Sequence, residues 1–323
     1  PAVFWSKEDP PDYEVYRPAA SFVDSIFTSD ANMIPRYSRD LGRSQVYDLP
    51  FCAQPAIHNP EGKTEEPGKN LLFAGTWYKR HRDRFLDYER VLEPALNFPG
   101  FHIYDRMLDN PNSELYGFPE KYQSCIKGKL PYHSLLKEYK KYRIFLNVNS
   151  VQYSPTMFSR RVFEVLLSGT PVISGYSLGI ERILGADTVR MVATPEEGRE
   201  AISSLLENEE QRGLLRRRGI RRVMEGNTCE DRVKRIFDTV GIGYNREYND
   251  LAVWTLVRNR DELESALDNF KRQSFKNARM RFYLVTPDAS LCAAIRLPAQ
   301  TRVLSLKGGG DIPEALDQVQ RNS

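Results

Sequence analysis

Residues 147–174 read NVNSVQYSPTMFSRRVFEVLLSGTPVIS, and this stretch decides the fold class. The apolar run that ends at Val148 predicts a buried strand, and the polar, proline-containing segment after it predicts a loop. The pattern over 161–167 predicts a helix, and the apolar run 171–174 predicts the next strand. The stretch therefore predicts a strand–loop–helix–strand unit of a parallel α/β sheet.

The predicted helix carries charged residues at its start. Arg160 and Arg161 stand in its first turn, and Glu164 follows one turn later. In open parallel sheets, ligands bind beyond the carboxyl ends of strands, where the free N–H groups and the dipole of a helix favour phosphate. The arginines can bind a diphosphate there, and the carboxylate can accept hydrogen bonds from two ribose hydroxyls. The spacing alone also fits ordinary i,i+3 or i,i+4 ion pairs on a solvated helix.

Outward from this unit, the chain divides into three blocks. Residues 1–60 offer about three candidate strands and predict the remainder of a Rossmann-like domain, whose other part we expect to precede Pro1. Residues 59–69 carry two prolines, two glycines and mostly charged side chains, and they predict a linker over 61–69. Residues 70–243 alternate more fully between strands and helices and predict a second Rossmann-like domain, and residues 244–323 predict an α/β extension.

The bulk composition narrows the class of protein. The formal net charge is only +3 and is not segregated, so we expect no nucleic acid partner. No apolar run approaches the roughly 18–20 residues of a membrane helix. The four cysteines are scattered without a CxxC pair, which predicts reduced thiols, a cytoplasmic protein and no metal site.

The run S-x-R-x-F-E-x-L-x-x-G-T-P-V-I-S, from Ser159 to Ser174, resembles the donor-site motif of GT-B glycosyltransferases. More narrowly, it resembles the CgeB-like (spore-maturation) group. FAGTWY at 73–78 and the pattern G-x-L-P-Y … Y … I-x-L-N within 128–147 resemble the same group, as do pieces of the first block. The resemblance covers about residues 1–240. It implies an α/β protein of GT-B type, with two Rossmann-like parallel-sheet domains of which the first is incomplete.

The resemblance also implies residue roles. Backbone N–H groups at Gly75 and Thr76 would approach the donor diphosphate, and either Arg80 or Arg84 would add positive charge. Further donor-site residues are implied around the helix start, with the arginines on phosphate, Glu164 on the ribose and the others near the sugar: Asn149, Ser154, Thr156, Arg160, Arg161 and Glu164. In one respect the chain departs from the wider class, because Thr156 stands where many members carry a sugar-contacting glutamate.

The implied activity is that of a hexosyltransferase-like enzyme. It would use a nucleoside-diphosphate sugar as co-substrate, with UDP-sugar expected first and GDP- or dTDP-sugar as alternatives, and would hold no permanent cofactor or metal. The acceptor would be a glycan, a surface polymer or a protein. Positive groups and the helix dipole would stabilise the departing diphosphate. An inverting enzyme would also need a general base, for which Asp9, Asp30 and His58 are weak candidates, and none is assigned.

Alternatives stay open. His58 is also compatible with a structural role as a buried residue that caps the linker. The presence of Thr156 is also compatible with a degenerate GT-B module that binds a carbohydrate or a partner as a scaffold. A sugar-nucleotide epimerase would want more acid–base side chains than 149–159 offers. The arginine-rich run 216–222 fits a salt-bridged solvated face, with peripheral contact to the inner face of the membrane as its alternative.

The third block carries a second resemblance. Its pattern V-x-x-L-V-R-N-R-x-E-L, from Val253 to Leu263, followed by N-F-x-R-Q at 269–273, is similar to the opening of a GT-A-like glycosyltransferase domain. No DxD motif follows it. An α/β appendage that packs on the GT-B unit or forms an oligomer interface fits the same residues.

Overall fold

The computed structural model describes residues 1–66, 68–79, 82–111, 113–243, 251–272, 280–293, 295–299 and 301–306. They form three sheets, and every strand pair in them is parallel. The predicted parallel α/β class is therefore confirmed. By its contacts the chain divides into two compact units, Pro1–Tyr244 and Asn245–Ser323.

The chain begins with a small parallel sheet of three strands in sequence order: β1 (Val3–Ser6), β2 (Ser25–Thr28) and β3 (Val46–Asp48). Its connections are α1 (Tyr13–Ala20), a 3₁₀ turn (Ala31–Met33) and α2 (Ile34–Leu41). All four residues of β2 are buried, because neighbours cover both edges and a cluster around Tyr13 and Tyr37 covers one face. The carboxyl ends of these strands lie at one edge, as parallel pairing requires.

The second sheet has six strands, of which three lie on each side of its centre. They are β4 (Leu71–Gly75), β5 (Phe101–Asp105), β6 (Ile126–Gly128), β7 (Ile144–Asn147), β8 (Val172–Gly175) and β9 (Arg190–Val192). Their spatial order is β6-β5-β4-β7-β8-β9. The chain therefore winds outward from β4 in one direction, returns to its other side at β7, and winds outward again. This reversal is the topological switch point at which open α/β sheets bind ligands.

Helices cover both faces of this sheet. In chain order they are α3 (Arg82–Asp87), a π-helical turn (Tyr88–Leu92), α4 (Glu93–Ala95), α5 (Ser113–Tyr116), a 3₁₀ turn (Glu120–Cys125), α6 (Tyr132–Tyr139), α7 (Arg160–Leu167), α8 (Leu178–Leu184), α9 (Pro195–Glu207), α10 (Glu209–Met224) and α11 (Cys229–Val240). Leu71 and Phe73 enter the core on one face, and Leu72 and Ala74 enter the core on the other. Burial on both faces explains the continuous apolar runs of the central strands.

The last helix of the first unit returns to the small sheet. Arg235 of α11 pairs with Asp48 at 2.7 Å, and Arg232 donates to the carbonyl oxygens of Pro50 and Phe51 at 2.8 and 2.9 Å. The Sγ atoms of Cys52 and Cys229, which lie far apart in sequence, are 3.1 Å apart at this contact. The contact ties the end of the first unit to its beginning.

The arginine-rich face of α10 is largely ion-paired. Arg216 pairs with Glu65 at 2.7 Å and Arg221 with Glu225 at 2.7 Å, while Arg218 lies 3.5 Å from the Asp187 carboxylate. These contacts are those of a salt-bridged face. Among the described residues, no helix combines the length and the apolar character that crossing a bilayer requires.

The second unit is a parallel sheet in sequence order, with β10 (Leu251–Leu256), β11 (Met280–Thr286), β12 (Thr301–Ser305), and the helices α12 (Arg260–Lys271) and α13 (Ser290–Ala293). Leu263, Leu267 and Phe270 of α12 pack against the sheet, and the ring of Phe270 stacks on that of Phe282 at 4.2 Å. The unit has its own hydrophobic core.

Substitution of Gly198 tests how closely α9 packs against the turn that contains Arg90. A Cβ there would lie 2.0 Å from the backbone oxygen of Arg90, which cannot move independently of its turn. We expect Gly198→Ala to lower the free energy of unfolding by roughly 1–3 kcal/mol, as overpacking does. Gly213→Ala in α10 is the matched control, because its nearest neighbour would be the flexible Arg217 side chain at 3.5 Å. It should be neutral or stabilise by up to about 1 kcal/mol. Urea unfolding followed by circular dichroism measures both, and equal effects would contradict the packing argument.

Candidate active site

A cavity of about 270 Å³ lies at the switch point of the six-stranded sheet. Its lining residues come from the ends of β4 and β5 and from the starts of α6 and α7: Ala74, Gly75, Tyr104, Arg106, Leu130, Tyr132, Leu135, Arg160 and Arg161. The register of β4 with β7 covers only Leu71 and Leu72, so the two strands part before their carboxyl ends. The cavity itself lies beyond the carboxyl ends of β4 and β5, next to the starts of α6 and α7.

The walls of this cavity are strongly basic. Arg106, Arg160 and Arg161 line it, and Arg106 donates to the hydroxyl of Tyr78 at 2.7 Å. Of the described carboxylates, none lies within ion-pair distance of Arg161. The side chain stands in the first turn of α7, where the backbone N–H groups have no intrahelical acceptor. Such a cluster of positive groups suits a polyanion such as a diphosphate.

Glu164 lies directly behind the cavity and is 1% exposed. Its Oε1 atom accepts from the hydroxyl of Tyr132 at 2.9 Å and from Nε of Arg160 at 2.7 Å. Its Oε2 atom is buried and has no hydrogen-bond partner among the described residues. A buried acceptor without a partner costs roughly 1–3 kcal/mol, and more when it is charged. The i,i+4 ion pair with Arg160 thus exists, but its carboxylate is buried rather than solvated.

Gly75 and Thr76 follow the end of β4, as the donor-site resemblance implies. A Cβ at Gly75 would lie 2.8 Å from the ring of Phe73, so the position has no room for a side chain. Thr76 is buried, and its hydroxyl also has no partner among the described residues. Arg84 donates to the hydroxyl of Ser150 at 3.0 Å and to that of Tyr88 at 3.1 Å. It therefore braces the loop that follows β7. Arg80 lies outside the described residues.

Asn149 is fully buried and its polar groups are paired inside the protein. Its side-chain amide donates to the hydroxyl of Ser174 at 3.0 Å, and its Oδ1 accepts from the backbone N–H of Ser159 at 3.1 Å. Its backbone N–H donates to Asp87 at 2.7 Å. Burial raises the pKa of Asp87, which makes a further ion pair with Arg90. Asn149 therefore shapes the loop between β7 and α7.

The same loop joins the two sheets of the first unit. Ser154 donates to the carboxylate of Asp30, while the hydroxyl of Thr156 donates to the Ser29 carbonyl at 2.9 Å and accepts from the Ala31 N–H at 2.9 Å. The side chains of Ser154 and Thr156 thus bind the loop that follows β2. The two hydroxyls act as a bridge between the sheets.

The three weak base candidates are dispersed. Asp9 is fully buried, accepts from Thr28 at 2.6 Å and from Tyr37 at 3.2 Å, and has a pKa raised chiefly by burial. The carboxylate of Asp30 caps the 3₁₀ turn after β2. Only His58 reaches the cavity wall, because its Nε2 atom lies 2.7 Å from the hydroxyl oxygen of Tyr132.

Sequence reasoning missed several lining residues. Tyr104 and Arg106 lie at and just beyond the end of β5, and Tyr132 begins α6. The rule that ligands bind beyond strand ends applies to β5 as it does to β7 and would have indicated Arg106. Tyr132 is brought to Glu164 by the packing of α6 beside α7, which a single sequence does not reveal.

Several solved structures share this fold. Anabaena Alr3699/HepE, solved with UDP and glucose, superposes with a TM-score of 0.53 at 10% identity over 74% of this chain and 71% of that one. A glycosyltransferase from Rickettsia africae ESF-5 gives 0.50 at 10% identity over 73% and 69%. WaaG, a glycosyltransferase involved in lipopolysaccharide biosynthesis, gives 0.50 at 11% identity over 74% and 75%. The chain has the GT-B glycosyltransferase fold.

A family comparison agrees with the fold. Residues 80–238, about half of the chain, match the family model described as glycosyl transferase-like. This segment is thus similar to a glycosyltransferase family, in agreement with the GT-B fold. No curated protein matches it significantly.

Substitution of Thr156 tests the hydrogen-bonded bridge between the two sheets. Thr156→Val keeps the shape of the side chain but leaves the Ser29 carbonyl and the Ala31 N–H without their partner. We expect the free energy of unfolding to fall by roughly 1–3 kcal/mol, the cost of unsatisfied buried groups. Thr156→Ser keeps the hydroxyl and should remain within about 1 kcal/mol of wild type. Denaturant unfolding measures both variants, and equal losses would show that the methyl group matters rather than the hydrogen bonds.

Proposed function

We propose that the switch-point cavity binds a nucleoside-diphosphate sugar and that the protein transfers the sugar to a glycan, a surface polymer or a protein. UDP-sugar is the first choice of donor, and GDP- and dTDP-sugars are the alternatives. The observation that carries the proposal is the pairing of a buried, half-satisfied Glu164 carboxylate with a basic cavity at a helix start. The two ribose hydroxyls of a UDP- or GDP-sugar, or the single 3′-hydroxyl of a dTDP-sugar, would satisfy the carboxylate, and the arginines would hold the diphosphate.

The chemistry of transfer suits these residues. When the bond between the sugar and the diphosphate breaks, negative charge develops on the leaving diphosphate oxygen. Arg161 and the free N–H groups at the start of α7 are fixed before the reaction and would stabilise that charge without a metal ion. In HepE, whose fold is similar, the solved complex contains UDP and glucose. These points support a metal-independent transfer from a nucleotide donor.

The finer assignments are also proposals. We place the chain in the CgeB-like group, with residues 1–60 as the acceptor-side domain, 61–69 as a linker, 70–243 as the donor-binding domain and 244–323 as an extension that opens like a GT-A domain. The order of the quoted motifs supports the group. The position of the cavity within 70–243 supports the donor assignment.

A second candidate is a module that binds sugar nucleotides or carbohydrates without transferring them. Thr156 favours it, because this residue stands where the wider class carries a glutamate and its hydroxyl is occupied by the bridge to the other sheet. Donor turnover separates the two candidates. Release of UDP from UDP-glucose or UDP-N-acetylglucosamine, with or without acceptor, would support the enzyme, and tight binding without release of UDP would support the module.

Nucleotide binding is the direct test of the site. We expect calorimetric titration with UDP, GDP, dTDP and CDP to show micromolar binding of one nucleotide. Glu164→Ala and Arg161→Ala should each weaken it at least roughly tenfold, because hydrogen bonds to charged groups contribute about 1.5–3 kcal/mol. Arg217→Ala removes an exposed arginine from α10 and is the matched control. The site assignment fails if no nucleotide binds the folded protein, or if Arg217→Ala weakens binding as much as Arg161→Ala.

A further inference from the structure

A chain of hydrogen bonds leads from the segment after β3 to the carboxylate behind the cavity. The backbone N–H of Gln54 donates to Nδ1 of His58 at 2.9 Å. Nε2 of His58 lies 2.7 Å from the hydroxyl oxygen of Tyr132, which lies 2.9 Å from Oε1 of Glu164. His58 and Glu164 are 5% and 1% exposed, so water has little access to either end of the chain.

The direction of each bond follows from the first. Because Nδ1 of His58 accepts from a backbone N–H, it carries no hydrogen, and the neutral ring has its hydrogen on Nε2. Nε2 therefore donates to Tyr132, and the single hydroxyl hydrogen of Tyr132 remains free to point at Glu164. Burial lowers the pKa of His58 from its ordinary value and so favours this neutral form.

We propose that His58 and Tyr132 are positioning residues of the donor site, which fix Glu164 through Oε1 and leave Oε2 for the ribose hydroxyls. The proposal rests on the proposed function of the cavity. It assigns a role to a histidine outside the donor-binding domain, so that the segment after the first sheet takes part in donor binding. It also gives the Gln54 N–H, a backbone group, a part in fixing the site.

The chain of hydrogen bonds from the Gln54 N–H through His58 and Tyr132 to Glu164 is called the relay below. It matters because Arg160 has two possible partners. It pairs with Oε1 of Glu164 at 2.7 Å, yet it is exposed and also lines the cavity, where a diphosphate would attract it. When Arg160 turns to the phosphate, Glu164 loses that hydrogen bond. Tyr132 is hydrogen-bonded to both His58 and Glu164, so its hydroxyl stays in place when Arg160 moves. The carboxylate therefore keeps its position while the arginine is released for the donor.

Protonation would break the relay at its origin. A hydrogen on Nδ1 of His58 would point at the Gln54 N–H, and two donors would face each other. The other groups that face His58 are the Glu164 carboxylate, which favours the charged ring, the Arg160 and Lys140 cations, which oppose it, and the Tyr132 hydroxyl. Burial lowers the pKa of His58 in the folded state, so the relay is intact at neutral pH and is lost as the pH falls through that lowered pKa. Nucleotide affinity should fall with it.

The test compares UDP with 2′-deoxyuridine diphosphate in calorimetric titrations, with GDP and its deoxy analogue as a second pair. Tyr132→Phe keeps the ring and removes the relay. His58→Asn can accept from Gln54 but lacks the donor to Tyr132, whereas His58→Gln places an amide N–H near the position of Nε2. We expect Tyr132→Phe and His58→Asn to weaken the ribonucleotide roughly tenfold, the value of about one well-placed hydrogen bond. Both should also lose the preference for ribose over deoxyribose. His58→Gln should retain affinity and lose its pH dependence.

Two outcomes distinguish an error in the relay from an error in the donor site. If Glu164→Ala abolishes binding while Tyr132→Phe and His58→Asn keep the wild-type affinity and ribose preference, the relay is wrong and the donor site stands. If the wild type binds none of UDP, GDP, dTDP and CDP, both the relay and the donor site are wrong. Thermal unfolding of each variant identifies loss of fold. ¹⁵N spectra of the His58 ring provide a readout independent of binding, since a hydrogen on Nδ1 at neutral pH would overturn the proposal.

Discussion

The short pairing between β4 and β7 is the constraint on which the rest of the site depends. These neighbours meet over two residue pairs and then part, while the chain winds away from them in opposite directions. The crossover from β6 back to β7 runs through α6, and the first residues of this helix line the cavity beyond the end of β4. The cavity lies among the ends of β4 and β5 and the starts of α6 and α7. Arg106 beyond the end of β5 and Arg160 and Arg161 at the start of α7 converge there.

Buried polar groups hold this arrangement at an energetic cost. Asp87 lies under Gly175, where a Cβ would come within 1.9 Å of its carboxylate, and it anchors the backbone of Asn149. Glu164 and Thr76 keep polar atoms without partners among the described residues. Apolar side chains of similar shape would pack there at lower cost. In the proposed donor complex, the free carboxylate oxygen of Glu164 would gain its partner from the ribose.

Polar contacts join the small and the large sheet, beside the apolar packing of Phe51 and Ala53 against the core of the large sheet. Ser154 and Thr156 bind the loop after β2, and arginines of α11 bind the segment after β3. Hydrogen bonds of this kind are directional and few, so they set a geometry without the large buried area of a hydrophobic interface. His58 makes a polar contact of the same kind. It follows the first sheet in the chain, and its ring hydrogen-bonds to Tyr132 in the wall of the cavity.

The sequence by itself determined the fold class and indicated the position of the candidate site. Apolar runs of strand length, the polar loop 149–159 and the charged start of α7 are local patterns, and the rule for parallel sheets converts them into a site. Tertiary structure alone decided which side chains face that site. Asn149 satisfies its polar groups inward, Thr156 bridges to another sheet, and Tyr132 meets Glu164 and His58. These contacts join residues that are far apart in sequence and depend on how α6 and α7 pack side by side. Periodicity predicts which face of a helix is buried, and it carries no information about the neighbour that this face will meet.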